Sequence, residues 1–318
     1  MERILVAGGG GFIGSHLVSA LLHKGYAVRV LDDFTTGKRE NLSGVLDDIE
    51  LIDSPGGVLS YEVCELASRG MDVVLHQAAL PSVPRSIMDP ILSSRVNLMG
   101  TLNLLEAVRK SGARRFVYAS SSSVYGDARG GVGGNEASPR LLSPYAVSKR
   151  AGELYGALYS DLYGLETVGL RYFNVFGPRQ DPNSQYAAVV PRFVQMLLAG
   201  EVPTIYGDGE QSRDFTYVDN VVAGNLLAMD AEDTGGETVD IGGGESHSLN
   251  ELFRLLRGIT GAEGIEPRYE PSRPGDIRHS RADISKARRL LGYRPLVSFE
   301  EGLCRTAAWH REISSIVS

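Results

Sequence analysis

Arg3-Ile4-Leu5-Val6-Ala7-Gly8-Gly9-Gly10-Gly11-Phe12-Ile13-Gly14 runs from an apolar, strand-like segment through four glycines into a helical pattern. Glycines at 8, 11 and 14 give G-x-x-G-x-x-G, a variant of the dinucleotide fingerprint. Glycine permits the tight turn and lets backbone N–H groups approach a pyrophosphate at the start of a helix. A glycine cluster alone is an ordinary strand-to-helix turn. Its place inside a strand–helix–strand unit makes it a cofactor cradle.

Asp32 closes the second strand, 18 residues after Gly14. A carboxylate there accepts from both ribose hydroxyls and repels a 2′-phosphate, which favours NAD over NADP. Lys38 and Arg39 stand close enough in sequence to dilute that repulsion. The bland reading of Asp32-Asp33 is a solvated turn.

Outward from this unit, β-branched runs alternate with helical patterns through the first half of the chain. That alternation predicts a doubly wound parallel α/β sheet covered on both faces. Strands are expected at Arg3–Ala7, Ala27–Leu31, Glu50–Asp53, Val73–His76, Arg115–Ala119 and Thr167–Tyr172, and helices from near Phe12, Leu59, Pro90 and Pro144. Pro90 and Pro144 suit first-turn positions, where a missing N–H costs nothing. Gly126–Gly134 reads as a loop over the site. After Asn174 the pattern changes to a helix (Ala187–Ala199), a strand near Thr204–Tyr206, the turn Gly207-Asp208-Gly209 and a further strand–helix unit from Arg213. A Rossmann lobe over residues 1–173 is therefore expected, with a smaller mixed lobe over 174–318. Part of the chain, about 213–240, is expected to return to the first lobe.

With 318 residues the chain can bury two cores. A net charge of −7 with no long basic run argues against a nucleic-acid partner. Cys64 and Cys304 are the only cysteines, too few for a disulfide framework or a zinc site, and no metal is expected. No stretch approaches the ~18 apolar residues of a membrane span. Met1 leads directly into a strand-like segment without a basic-then-apolar leader. These features predict a cytoplasmic protein.

Tyr145-Ala146-Val147-Ser148-Lys149 follows the serine run Ser120-Ser121-Ser122-Ser123. Tyr145 and Lys149 stand at i and i+4, on one helix face. A phenol is a poor base at its free pKa of ~10. A neighbouring ammonium and a positive nicotinamide favour the phenolate and lower that pKa. Taken alone the pair reads as a surface contact; behind a serine-ended strand in a dinucleotide fold it reads as catalytic. Ser121 then hydrogen-bonds the reacting oxygen. His76, at a strand end, reads as a structural histidine rather than a base. In the second half, Arg213 and Arg273 offer planar forks for a diphosphate. Asn174 can donate and accept, and Asp276 can accept from ribose hydroxyls. Each arginine has a structural ion pair as its bland alternative.

Together these segments resemble the extended short-chain dehydrogenases that act on nucleotide sugars, and the similarity covers nearly the whole chain. It is carried by the glycine fingerprint, Tyr145/Lys149, Leu75-His76-Gln77-Ala78-Ala79, Ser120–Tyr125, Leu170–Gly177, Gly207-Asp208-Gly209, Arg213-Asp214-Phe215 and Arg273-Pro274-Gly275-Asp276. More narrowly the chain is similar to bacterial UDP-N-acetylglucosamine 4-epimerases of polysaccharide biosynthesis, through Ser82–Ser86, Arg179–Asn183, Tyr186–Val189 and Gly275–Ser280. The resemblance implies that Ser121 and Tyr145 contact the sugar O4, with Tyr145 the acid/base, and that Lys149 binds the nicotinamide ribose. It implies that Gly11, Phe12, Ile13, Asp32, Thr36 and Gly37, beside Gly8 and Asp33, hold the adenosine half of NAD. Gln77, Ala78 and Ala79, beside Leu75, then line its middle, and Tyr172 and Val175 lie near the nicotinamide. Asn174, Ala188, Val189, Thr204, Tyr206, Arg213, Arg273 and Asp276 match UDP-binding positions, while Ser82, Ser122 and Ser123 fall beside the sugar.

The implied reaction oxidises C4 to a 4-keto sugar, turns the ring about its phosphoryl linkage and reduces the opposite face, with NAD kept bound. Ser280, seven residues after Arg273, stands where the family walls the sugar's 2-substituent, and a serine leaves room for an N-acetyl group. Sugar-nucleotide 4,6-dehydratases carry an Asp-Glu pair where this chain has Ser122 and Ser123, so dehydration is not expected. UDP-glucuronate 4-epimerase is the nearest alternative, with Arg85 as a partner for the C6 carboxylate. A fold kept only for binding is a third reading, opposed by the intact Ser121, Tyr145 and Lys149. Three departures stand out. Asp53-Ser54-Pro55-Gly56-Gly57 replaces the usual Asp-Ile-Arg-Asp, Asp33 replaces a frequent asparagine, and Pro81 replaces a glycine beside the sugar pocket. Relatives pair as homodimers, which here implicates helices Pro90–Ser111 and Pro144–Tyr163.

Overall fold

Residues 1–126, 140–182, 188–272 and 278–317 are described by the computed structural model. In chain order the first elements are β1 (Arg3–Ala7), α1 (Phe12–His23), β2 (Ala27–Asp32), β3 (Ile49–Asp53), α2 (Tyr61–Ser68), β4 (Val73–His76), α3 (Val83–Met88), α4 (Pro90–Ser94), α5 (Gly100–Ser111), β5 (Arg115–Ser121), α6 (Pro144–Tyr163) and β6 (Glu166–Tyr172). After them come β7 (Val175–Phe176), α7 (Val189–Leu198), β8 (Thr204–Tyr206), β9 (Ser212–Arg213), β10 (Thr216–Tyr217), α8 (Val218–Asp230) and β11 (Glu237–Ile241). The last are β12 (His247–Ser248), α9 (Leu249–Thr260), β13 (Arg268–Glu270), α10 (Ser285–Leu291) and α11 (Phe299–Val317).

Seven of these strands form one sheet in the order β11-β6-β5-β4-β1-β2-β3. Every pairing in it is parallel. Successive side chains of a strand face opposite sides, so β1 feeds two cores at once. Ile4 and Val6 pack with Leu17 and Val18 of α1 and Val221 of α8. Leu5 and Ala7 pack with Cys64 of α2 and Leu104 and Val108 of α5. The strand order reverses between β1 and β4, and such a switch point opens a crevice at the carboxyl ends of the strands. Gly8, Asp32, Gln77, Ser121 and Tyr172 all lie at that edge.

A third core joins Phe193 and Leu197 of α7, Leu252 and Phe253 of α9, and Phe299 and Leu303 of α11. Ile13 and Val175 pack against both this core and the α1 side of the sheet. The helix that starts at the glycine turn therefore sits at the junction of the two regions. β11, reached only after α8, forms the edge of the large sheet beside β6.

Three local expectations are corrected. The helix expected from Leu59 starts at Tyr61, because Ser60 caps it by accepting the N–H of Val63, and Gly57–Leu59 is a separate 3-10 turn. A short helix, α3, precedes the one at Pro90; Ser82 and Asp89 cap the two in turn. The stretch from Pro90 to Ser111 is not uniform: Arg95–Met99 is a π-helical turn. Within it the Asn97 amide accepts the Leu80 N–H at 2.7 Å and donates to the Leu80 carbonyl at 3.2 Å. That clamp fixes the loop after β4, and hydropathy patterning carries no trace of it.

Candidate active site

The glycine turn fits a dinucleotide on its own geometry. Gly8 has φ +85°, and a Cβ there would strike the backbone of Ala78. A Cβ at Gly14 would strike the carbonyl oxygen of Gly8. Helix α1 therefore begins pressed against the turn, with Gly11 as its N-cap and no side chain capping its first N–H groups. Its first turn carries no acidic residue. Uncapped N–H groups at the positive end of a helix dipole are what a pyrophosphate needs.

Asp32 is turned onto this cradle. Its Oδ2 accepts the N–H of Gly10 and its Oδ1 that of Phe34, each at 2.8 Å. Gly37 lies against both Gly10 and Asp32, so close that a Cβ would collide with the Gly10 backbone. Burial pushes the Asp32 carboxyl above its usual range, and the two backbone hydrogen bonds oppose that. Lys38 pairs with Asp181 at 3.5 Å, and Arg39 pairs with Asp53 while its guanidinium lies 4.1 Å from the Phe34 ring centre. The two cations near Asp32 are thus engaged elsewhere, and their dilution of the 2′-phosphate repulsion is weaker than sequence proximity suggests. Gly57, in the departing Asp53–Gly57 stretch, packs against the side chain of Asp33.

The residues expected to transfer a proton converge from two elements, β5 and α6, and a third, α3, braces them. Ser121 ends β5 and accepts the N–H of Ser123 at 3.2 Å, which caps the 3-10 turn Ser122–Tyr125. Tyr145 lies in the first turn of α6, started by Pro144 and capped by Ser143. The Ser121 side chain faces its phenol and opposes the upward push of burial. The N–H of Tyr145 donates to Ser86 Oγ at 3.1 Å, so α3 braces this turn against Ser82. Lys149 Nζ donates to the Ala119 carbonyl at 2.8 Å and stands 5.9 Å from the Tyr145 ring centre.

Burial acts on both ionisable groups of this set. Burial pushes the Tyr145 phenol up from its ordinary value, and the Ser121 hydrogen bond only partly opposes it. The same burial pulls Lys149 down to about 8, with Glu153 acting the other way. Burial is the larger of the two influences on Tyr145, so the protein surroundings alone push the phenol up.

Tyr172 donates its hydroxyl to Gln77 Oε1 at 3.1 Å, and a residue that sequence reading missed bonds to both. Asn225 Nδ2 donates to the Tyr172 hydroxyl at 2.8 Å, and Gln77 Nε2 donates to Asn225 Oδ1 at 3.0 Å. Asn225 comes from α8, 148 residues beyond Gln77, and no local signal marks it. His76 is fully buried with Nε2 on Thr101 Oγ1 at 2.9 Å, and burial followed by the Lys149 charge pulls it to about 3. It is neutral at ordinary pH.

The second-half residues form a separate group. Asn174, at φ +26°, donates to the Asp214 carbonyl at 3.3 Å. Ala188 caps α7 and Val189 begins it; Thr204 and Tyr206 lie on β8, which pairs with β13. Arg213 Nη1 donates to the Ser212 carbonyl at 2.9 Å. Ser280 donates its N–H to the Ser212 carbonyl at 3.0 Å and its carbonyl accepts from Ser246, while Arg278 forms a bidentate pair with Asp208. Arg273 and Asp276 lie outside the described residues, as do Asn183, Tyr186, Ala187 and most of Gly126–Gly134. Among the described residues no cluster suits a metal ion and no helix is long and apolar enough to cross a membrane.

The profile of the NAD dependent epimerase/dehydratase family matches residues 4–242. The chain belongs to that family. It is 39% identical to the UDP-glucose 4-epimerase of Mycolicibacterium smegmatis over 98% of its own length and 99% of the relative's. Among solved structures it is similar to the UDP-N-acetylglucosamine 4-epimerase of Methanobrevibacter ruminantium M1 in complex with UDP-N-acetylmuramic acid. That similarity has TM-score 0.90 and 39% identity, covering 98% of this chain and 99% of the other. It is also similar to the UDP-glucuronic acid 4-epimerase of Bacillus cereus in complex with NAD and a fluorinated substrate analogue, at TM-score 0.87 and 35% identity over 98% of this chain and 99% of the other.

His76 yields a pH prediction. Its folded pKa of about 3 lies below the ordinary 6.5, so the unfolded chain binds the extra proton and stability is lost as pH falls from 6.5 toward 3. Denaturant unfolding of the protein and of His76→Gln across that range is expected to show a difference that is largest above pH 6.5 and shrinks toward pH 3. A difference constant with pH would contradict the buried neutral imidazole.

Proposed function

We propose that this chain is a UDP-hexose 4-epimerase with tightly bound NAD, interconverting UDP-GlcNAc and UDP-GalNAc and able to accept UDP-Glc and UDP-Gal. The observation that carries the reading is that Ser121 at the end of β5 meets Tyr145 and Lys149 of α6, with Lys149 Nζ held by the Ala119 carbonyl, beside the glycine cradle at the carboxyl edge of the sheet. Tyr145 as phenolate takes the proton of the sugar O4, and Ser121 holds that oxygen in line. The Lys149 ammonium supports the phenolate and reaches the nicotinamide ribose. NAD, when bound, supplies the acceptor and then the donor of the C4 hydride. Gly8, Gly11, Phe12, Ile13 and Asp32 hold its adenosine half; Gln77, Ala78, Ala79 and Tyr172 line the remainder.

Residues 1–173 form the cofactor lobe in this reading, and most of 174–318 the nucleotide-sugar lobe. Asn174, Arg213 and the strand Thr204–Tyr206 hold the UDP, so that only the hexose turns between the two hydride transfers. Ser280 supports N-acetylhexosamines, being a small side chain fixed through its own backbone beside Ser212 and Ser246. Ser122 and Ser123 supply no carboxylic acid to expel a C6 hydroxyl, which disfavours dehydration.

One observation favours a second reading, UDP-glucuronate 4-epimerase. Arg85 is half-buried in α3, one turn from Ser82, and among the described residues its guanidinium has no hydrogen-bond or ion-pair partner. A C6 carboxylate would pair with it.

Exposed Ile91, Met99, Leu154, Leu158 and Leu162 on α4–α6 support a homodimer through these helices. Sedimentation equilibrium is expected to give twice the 34.3 kDa chain mass, falling to one chain for Leu158→Asp/Leu162→Asp. A monomeric parent protein would end this assignment.

Purified protein without added NAD is expected to convert UDP-GlcNAc to its 4-epimer, and Tyr145→Phe to lose at least ~10²-fold in kcat while retaining NAD and UDP-sugar binding. Unchanged activity in that variant would contradict the proton-transfer assignment. Faster turnover of UDP-GlcA, abolished by Arg85→Ala, would establish the second reading instead.

A further inference from the structure

Behind the proton-transfer set lies a buried ionic group that the reaction scheme leaves without a task. Glu153 stands one helical turn beyond Lys149 on α6 and is 3% exposed. Its Oε1 accepts from Ser120 Oγ at 2.6 Å and Arg171 Nε at 2.7 Å. Its Oε2 accepts from Arg150 Nη1 at 2.7 Å and Arg171 Nη2 at 2.8 Å. Arg171 continues to the Tyr125 hydroxyl, which donates to Asp240 on β11, both at 2.7 Å.

Two links run from this carboxylate to the reacting groups. Ser120 lies between Ala119, whose carbonyl receives Lys149 Nζ, and Ser121, which meets Tyr145. The Glu153–Ser120 bond therefore pins the strand end that presents both contacts. The second link is charge: Glu153 is the anion that sustains the proton on Lys149 against burial. A buried ion pair of this quality costs desolvation and is weak evidence for stability as such. Its position suggests a different use.

We infer that Glu153 is a positioning residue of the reaction, whose carboxylate both fixes the Ala119–Ser121 strand end and keeps Lys149 an ammonium beside the Tyr145 phenol. The activity arm of this inference rests on the epimerase reading; the Lys149 arm does not. Other charged or titratable groups around Lys149 are accounted for. His76 on β4 is neutral, Tyr118 on β5 and Tyr172 on β6 are phenols pushed up by burial, and Tyr145 is its partner. Arg150 and Arg171 are the cations on the far side of Glu153, and both oppose its effect. Asp240, pushed up by burial to about 6, lies 4.0 Å from Arg171 and meets it also through Tyr125; it titrates well below the range concerned.

The test reads the Lys149 amine directly. Only Lys24, Lys38, Lys110 and Lys286 share its label in ¹³C-lysine protein, and Lys149→Met assigns its signal. In Glu153→Gln, which keeps a hydrogen-bond partner for Ser120, the Lys149 midpoint is expected to fall by about one pH unit. The alkaline limb of kcat should fall with it. Arg150→Gln removes a half-exposed cation without emptying the core, and is expected to move both midpoints upward. A purely structural Glu153 would lower the melting temperature of Glu153→Gln and leave every midpoint in place, which overturns the inference. If Glu153→Gln does not fold, an unmoved midpoint in Arg150→Gln overturns it equally. A moved Lys149 midpoint in a protein inactive on every UDP-sugar would sustain the inference and sink the epimerase reading.

Discussion

Three stretches of backbone meet at the first glycine turn with no room for a side chain between them. The end of β1 passes the Ala78 backbone at Gly8, and α1 begins against the Gly8 carbonyl at Gly14. This close approach aims the uncapped start of α1 at the crevice opened by the strand reversal between β1 and β4. Asp32 then locks the turn through the Gly10 N–H. A single methyl group at Gly14 would push helix and turn apart, and the cofactor cradle, the sheet edge and the junction at Ile13 would shift together.

From that edge the two halves of the chemistry arrive by different routes. The cofactor side is built from strand ends that the sheet places side by side. The proposed proton-transfer side depends on a helix docked at a fixed height: Pro144 and Ser143 start α6, Ser86 holds the Tyr145 N–H, and the Ala119 carbonyl anchors Lys149. Burial then acts on both ionisable partners in opposite senses, raising the phenol and lowering the ammonium. Both shifts favour the neutral forms, so an ammonium and a phenolate at this site depend on nearby charge, of which Glu153 is the one that acts on Lys149.

Much of this was legible in the sequence because it is local. The glycine spacing, Asp32 at a strand end, the serine run and Tyr145/Lys149 at helical spacing all announce themselves within a few residues. The six strands of the first half follow from β-branched runs, and their ends fall within two residues of those expected. What was not legible is what tertiary contact decides. The π-turn at Arg95–Met99 is set by the Asn97 clamp on Leu80, and Asn225 joins Gln77 and Tyr172 only because α8 folds back over the sheet. Glu153 had a local signal, one turn past Lys149, but its three partners, Ser120, Arg150 and Arg171, come from three elements. Spacing likewise reveals the Lys149 ammonium near Tyr145 but not the burial that pushes the phenol up.

In the proposed reaction hydrogen leaves C4 and returns to it without touching solvent. The most direct measurement uses a UDP-hexose carrying deuterium at C4, converted in ordinary water and followed by NMR and mass spectrometry of both 4-epimers. Deuterium retained at C4 of the product through many turnovers is the predicted result. Progressive replacement by protium would mean that C4 is deprotonated to solvent, and would contradict the pairing of Tyr145 with a bound hydride carrier.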